Sequence, residues 1–160
     1  MLNLKQKLVT LISLMLLCLG CNDTVTEVVN DNPSIAAKQI EREIIHQDSS
    51  TKIIKITSEE DFYYQAIVDA KSLSAKFKIQ IELNSDLEII SVKVPSYIGT
   101  RGRAITGKRF SEQFIGKGSG NKLTVGEDIH SITGATQSAK TMTDQIRRII
   151  KLIEKKSAAN

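Results

Sequence analysis

The sequence of 160 residues is poor in several residue types: it has no tryptophan, two histidines, two prolines and two cysteines. Only seven residues are aromatic, which leaves few side chains on which nucleic acid bases could stack. The formal charge of +4 includes two lysines in residues 1–20, where there is no acid, so the remainder has 20 basic and 18 acidic residues. This near balance gives no electrostatic reason to expect a nucleic acid partner.

The scarcity of histidine and cysteine also limits the chemistry that we expect. His46 and His130 are far apart in the sequence, and a zinc site built from them without cysteine is not expected. Neither histidine has a nucleophile motif such as G-x-S-x-G nearby. The sequence therefore predicts no catalytic or metal-binding residues, and a stand-alone hydrolase is the least favoured class.

The N-terminal segment has the pattern of an export signal. Lys5 and Lys7 precede an apolar run of 13 residues that ends at Gly20, too short to span a bilayer as a helix. Cys21 follows Gly20, as the acylated cysteine does in lipoprotein signals. We therefore predict a signal peptide over 1–20 and a lipid anchor at Cys21, which places the mature protein on the extracytoplasmic side of a membrane. An ordinary cleaved signal and a buried core helix are the alternatives.

The rest of the chain alternates between recognisable segments. Polar residues 21–32 form a predicted tether, and residues 33–160 a single domain. A helix is predicted from the Asn32-Pro33 start to about residue 46, and residues 52–57 and 62–68 are typical of strands. Residues 76–83 and 88–94 predict a hairpin that Pro95 ends, and residues 110–115 a short helix before a break at 116–120.

The C-terminal segment predicts an amphipathic helix that begins near Thr133. Its apolar residues are spaced alternately by four and three positions, at 135, 139, 142, 146, 149 and 153. Together these segments predict an α+β fold, a small and mostly antiparallel sheet with an N-terminal helix and with the C-terminal helix packed on one face.

The segment 128–138 contains a glycine turn that leads directly into this helix, with hydroxyl side chains at Ser131, Thr133, Thr136 and Ser138. The first-turn N–H groups and the dipole of a helix favour a phosphate. Lys140 lies one turn after Thr136, where its charge would offset that of a phosphate. The alternative is that Thr133 only caps the helix and that the small residues serve packing.

The four residues Thr133-Gly134-Ala135-Thr136 resemble the S/T-G-A-T core of the FMN-binding domain family. This family includes the C subunit of the sodium-translocating NADH:quinone reductase and the G subunit of the Rnf complex. The resemblance extends over about residues 75–155, through the hairpin, the 110–116 segment and the terminal helix. The chain differs from the family at His130, where aspartate is usual, and over 97–103, where a Glu-Thr-Pro-Gly-like stretch is usual.

The resemblance implies that Thr136 carries FMN through a phosphoester, installed by an ApbE-like flavin transferase. It implies an electron-transfer flavoprotein that works with redox partner proteins in a membrane-associated chain, rather than a stand-alone enzyme. The further predicted cofactor contacts are Thr133, Gly134, Ala135, Ser131, Ser138, His130 and Lys140.

Several alternatives stay open at this point. His130 is either an exposed loop histidine or a group that contacts the flavin phosphate or shifts the flavin potential with pH. Arg101 and Arg103 either belong to a solvated basic loop or steer an acidic partner or phosphate. The second function class is a non-redox lipoprotein that binds a ligand or a partner protein.

Overall fold

A five-stranded antiparallel sheet and one long helix make up more than half of residues 40–158. The computed structural model describes residues 40–158. The strands follow one another in the sheet in chain order. They are β1 (Glu41–Gln47), β2 (Thr51–Thr57), β3 (Phe62–Lys71), β4 (Ala75–Leu83) and β5 (Ile89–Gly99); two helices follow, the short α1 (Lys108–Ser111) and the long α2 (Thr136–Ser157). The predicted α+β class and the antiparallel sheet are confirmed.

One face of the sheet packs against α2 and forms the core. Successive side chains of a strand point to opposite faces, and in β4 the buried side chains are every second residue from Ala75 to Leu83. Ala139, Met142 and Ile146 on the apolar stripe of α2 are fully buried. The alternation of buried and exposed side chains along the strands, together with the helical period of the apolar residues in α2, therefore positions the helix across the inner face, as the sequence predicts. Among the described residues, no helix has the length and apolar character needed to cross a membrane.

The predicted N-terminal helix is wrong over residues 41–46, which belong to β1. This strand pairs with β2 from Glu41 opposite Thr57 to Gln47 opposite Lys52, with an irregularity at Ile45. The spacing of Ile40 and Ile44 fits a helical stripe, but it equally fits alternate positions of a strand. Pairing with β2, which the local pattern cannot reveal, decides between the two. Residues 33–39 of the predicted helix lie outside the described residues.

Pro95 does not end the hairpin, because β5 continues to Gly99. Lys78 pairs with Ser96 and Gln80 with Lys93, so that Val94 and Pro95 together lie opposite the single residue between them on β4. This is a bulge on the edge strand of the sheet, where proline is tolerated because its missing N–H interrupts no central ladder.

The predicted short helix over 110–115 is confirmed in outline. Helix α1 runs directly into a 3₁₀ turn, Glu112–Phe114. Phe110 and Phe114 are fully buried, and their rings meet edge to face at 5.6 Å. The chain then returns to the start of β5, where Gly116 N donates to Ile89 O at 2.9 Å. These contacts fix the segment that precedes the glycine motif.

Candidate functional site

The glycine motif lies at the entrance to α2. Ala135 N donates to Ile132 O at 2.9 Å and closes a turn in which Gly134 has a φ of +77°. A positive φ favours glycine because a side chain crowds the backbone there. The helix consequently begins at Thr136, three residues later than the sequence predicts.

The start of α2 has no side-chain cap. Ala135 is the N-cap residue, and within the described part of the chain no side chain caps the first turn. The alternative in which Thr133 caps the helix is therefore wrong, although Ala135 is buried and does serve packing. An uncapped helix start leaves its N–H groups available to an oxygen acceptor from outside the chain.

Most of the predicted contact residues are exposed around this start. Thr136 is the first helical residue, and its side chain is exposed. Ser131, Thr133 and Gly134 are exposed in the preceding turn. Lys140 is exposed one turn along the helix, and the first turn contains no acidic residue. The electrostatic surroundings thus favour an anion next to the Thr136 hydroxyl.

Ser138 has a different position, since only 1% of its surface is exposed. Its Oγ lies 3.1 Å from Tyr97 Oη and 3.4 Å from Ser72 Oγ. The Tyr97 hydroxyl itself donates to Arg101 O. Because the Tyr97 proton is used there, Ser138 donates to Tyr97 Oη. The Ser138 side chain therefore joins α2 to the sheet, and its hydroxyl is already used within the protein.

The loop after β5 packs directly on this serine. Gly102 has a φ of +87°, and a Cβ there would overlap Ser138 Oγ and lie 2.7 Å from Tyr97 Oη. This close approach places the basic residues Arg101 and Arg103, both exposed, next to the first turn of α2. The sequence alone did not place this loop beside the motif, although its glycines at 99 and 102 were a signal of close backbone contact.

His130 is held by its backbone rather than by its ring. Its N–H donates to Gln113 Oε1 at 2.7 Å, and Gln113 Nε2 donates to its carbonyl at 3.3 Å. The imidazole is exposed, and this position is compatible with both predicted alternatives, a solvated loop histidine and a contact to a flavin phosphate. Gln113 was not predicted; it ties the 3₁₀ turn to the motif loop. The nearby Asp128 accepts from Leu123 N at 2.7 Å, so this carboxylate supports the loop.

The motif residues do not line three clefts found among residues 40–158. These clefts lie between the 118–123 turn and the C-terminal half of α2, beside the β2–β3 turn, and between β1 and the end of α2. The same part of the chain contains no group of three His, Cys, Asp or Glu side chains arranged to hold a metal ion. The predicted signal, tether and Cys21 lie outside the described residues.

Comparison with protein-family models and with curated proteins gives no match for this chain.

Proposed function

We propose that this protein is an extracytoplasmic, lipid-anchored flavoprotein that carries FMN through a phosphoester on Thr136 and relays electrons in a membrane-associated redox chain. The observation that carries the proposal is the position of Thr136, an exposed hydroxyl on the first residue of an uncapped helix. The resemblance of residues 133–136 to the S/T-G-A-T core of the FMN-binding domain family gives this position its chemical meaning.

The residues around Thr136 fit a phosphate monoester that becomes a diester on attachment. The N–H groups of the first turn have no partner within the helix, and no side chain among residues 40–158 caps them, so they are available to the phosphate oxygens. Lys140 adds a positive charge one turn away, and the turn at Gly134 presents backbone without a side chain. When bound, FMN would supply the one- and two-electron chemistry, and the chain would hold and orient it.

The exposure of the motif also fits covalent attachment by another enzyme. An ApbE-like transferase must bring its own active site to the Thr136 hydroxyl, and neighbouring Ser131 and Thr133 are exposed as well. Covalent attachment suits a protein outside the cytoplasm, because a dissociated cofactor would be lost there. Lipid anchoring through Cys21 would keep the flavin near membrane-bound redox partners.

A non-redox lipoprotein that binds a partner protein through the same domain is the second candidate. It is supported by two apolar side chains that are largely exposed at the sheet end near the motif, Leu73 and Ile98. Covalent flavin distinguishes the two candidates, because only the first requires it.

The test is the intact mass of residues 22–160, exported from cells that also contain an ApbE-like transferase. We expect a gain of one FMN less one water, lost in Thr136→Ala and kept in Thr106→Ala. The Thr106 variant is the matched control because Thr106 is an exposed threonine outside the motif. An unmodified mass, from cells in which the transferase labels a known substrate, would overturn the covalent proposal and favour the second candidate.

A further inference from the structure

We propose that the end of the sheet beside the motif is a docking surface for an acidic partner protein. We call it the basic end surface. It contains two apolar and four basic exposed side chains: Leu73, Ile98, Lys71, Lys76, Arg101 and Arg103. The proposal depends on contacts and charges of these residues and does not require flavin on Thr136.

Two apolar side chains form the centre of this surface. Leu73, in the turn between β3 and β4, is 90% exposed, and Ile98, near the end of β5, is 71% exposed. Ile98 pairs with Lys76 across β4 and β5, and Lys76 pairs with Lys71 across β3 and β4. Register partners lie about 5 Å apart on the same face, so these three side chains form one row next to the Leu73 turn.

The turn that carries Leu73 is held on both sides. Ser72 Oγ lies 3.4 Å from Ser138 Oγ in the first turn of α2 and 3.4 Å from Ala75 O, to which it donates. On the other side, a Cβ at Gly99 would lie only 2.7 Å from Ser74 O, which shows how closely β5 approaches the turn. Leu73 is therefore presented on a fixed support, so that this turn loses little conformational entropy when a partner binds it.

The charge around this centre is of one sign. Within residues 40–158, none of the four basic side chains forms an ion pair, whereas Lys78 in the next row pairs with Asp69 at 3.2 Å. The stretch from 89 to 111 contains five basic residues and no acidic residue. An apolar centre bordered by unpaired cations is complementary to an apolar patch bordered by carboxylates.

The position of the chain entry favours a protein over a lipid surface. Strand β1 begins at Glu41, opposite Thr57, and Thr57 pairs with Phe62 at the start of β3. The Leu73 turn follows the other end of β3. The N-terminal part of the chain thus joins the domain at the sheet end opposite to the basic end surface, which leaves that surface facing away from the point of attachment.

The loop and the turn of this surface are the parts close to Thr136. Gly102, between Arg101 and Arg103, and Ser72 both approach Ser138, which is two residues along α2 from Thr136. The row of Lys71, Lys76 and Ile98 lies on the sheet face opposite to α2, since the residues that alternate with Lys76 on β4 are buried on the inner face. A redox partner would therefore reach a flavin on Thr136 from the side of Arg101 and Arg103, and a partner without redox function would use the same surface.

The first test measures the charge contribution, on the full chain held in nanodiscs of neutral phosphatidylcholine. A fluorescent polyglutamate peptide serves as the acidic probe. We expect the triple variant Lys76→Glu, Arg101→Glu, Arg103→Glu to weaken its binding by about tenfold or more, and to reduce the salt dependence. The matched control reverses three exposed lysines at the other end of α2, Lys151, Lys155 and Lys156. Equal weakening in both triple variants would overturn the proposal.

The second test identifies what contacts Leu73 in the cell. A photo-crosslinking amino acid at this exposed position is expected to give a protein adduct that the Lys76, Arg101 and Arg103 triple variant loses and the lysine control keeps. An adduct with lipid, or binding of the full chain to phosphatidylglycerol vesicles that falls in Leu73→Ser, would make the membrane the occupant and overturn the proposal. Absence of any charge-dependent protein adduct would overturn it too. Thr136→Ala gives the same adduct if the docking surface is correct, even where the flavin proposal fails.

Discussion

At the residue scale, Gly102 has no room for a side chain. A Cβ there would overlap Ser138 Oγ, and the φ of +87° is unfavourable for any other residue. We expect Gly102→Ala to lower the free energy of unfolding by about 3 kcal/mol, of which the left-handed backbone accounts for about 1–2 kcal/mol. Urea denaturation measures this change. Gly126→Ala is the matched control, because its φ is +97° but a Cβ would meet no atom within 4 Å.

Equal losses in the two glycine variants would show that the contact with Ser138 contributes nothing to stability, and that the loop after β5 does not pack tightly on α2.

The contacts that Ser138 makes with Gly102 and Tyr97 are the part of the site that could not be predicted from the sequence. Ser138 and Tyr97 are 41 residues apart, and no periodicity relates them. The position of the threonines at the entrance to α2, by contrast, was predictable because a glycine turn followed by a helical stripe has a local signature.

At the element scale, the turn between β1 and β2 depends on one carboxylate. Asp48 Oδ1 accepts from Ser50 N at 2.7 Å and from Thr51 N at 2.8 Å, and Oδ2 lies 3.1 Å from His46 Nε2. The Ser50 backbone N–H, with the His46 side chain next in importance, holds the pKa of Asp48 well below its ordinary value. Arg148 Nη2, 3.6 Å from Oδ2, connects the turn to α2.

This lowered pKa predicts a pH dependence with a definite sign. The unfolded chain binds a proton at Asp48 more readily than the folded protein, so the ionised carboxylate stabilises the fold above about pH 4 and loses this effect as pH falls below it. We expect Asp48→Asn to be less stable than the parent protein at pH 7, with the difference shrinking on acidification to below pH 4. Urea midpoints at several pH values measure it. Asp86→Asn, in the exposed β4–β5 turn, is the control for the pH dependence that the other titratable groups cause. A stability difference between Asp48→Asn and the parent protein that does not change with pH would contradict the prediction.

Some of the strands and helices could be predicted from the sequence, and others could not. Strands β3 and β4 and helix α2 were predictable because each has a long buried face with a clear period. Strand β1 was mistaken for a helix because Ile40 and Ile44 fit both periods. The extension of β5 through Pro95 depends on its place at the sheet edge, which is a property of the assembled sheet and not of the strand.

At the scale of the whole molecule, the proposed anchor limits the distance between the domain and the membrane. Cys21 and Glu41 are separated by 20 residue steps, which span at most about 70 Å when fully extended. The domain is therefore proposed to stay within that distance of a membrane while its basic end surface is free to meet a partner. Without the lipid, nothing in the described residues provides a membrane-spanning helix.

The anchor makes a prediction that cell fractionation can check. Two acyl chains on a mature N-terminal cysteine hold a protein on a membrane, because each buried methylene contributes about 0.8 kcal/mol. We expect the protein with Cys21→Ala to leave the membrane fraction for the soluble extracytoplasmic fraction, or to remain as an unprocessed precursor of higher mass. Cys18→Ala is the control, since the predicted cleavage would remove this residue with the signal, and its substitution should leave the mature mass and the membrane association unchanged. A mature Cys21→Ala protein that stays in the membrane fraction after an alkaline wash would place the anchor elsewhere in the chain, and the distance limit set by Cys21 would no longer apply to the basic end surface.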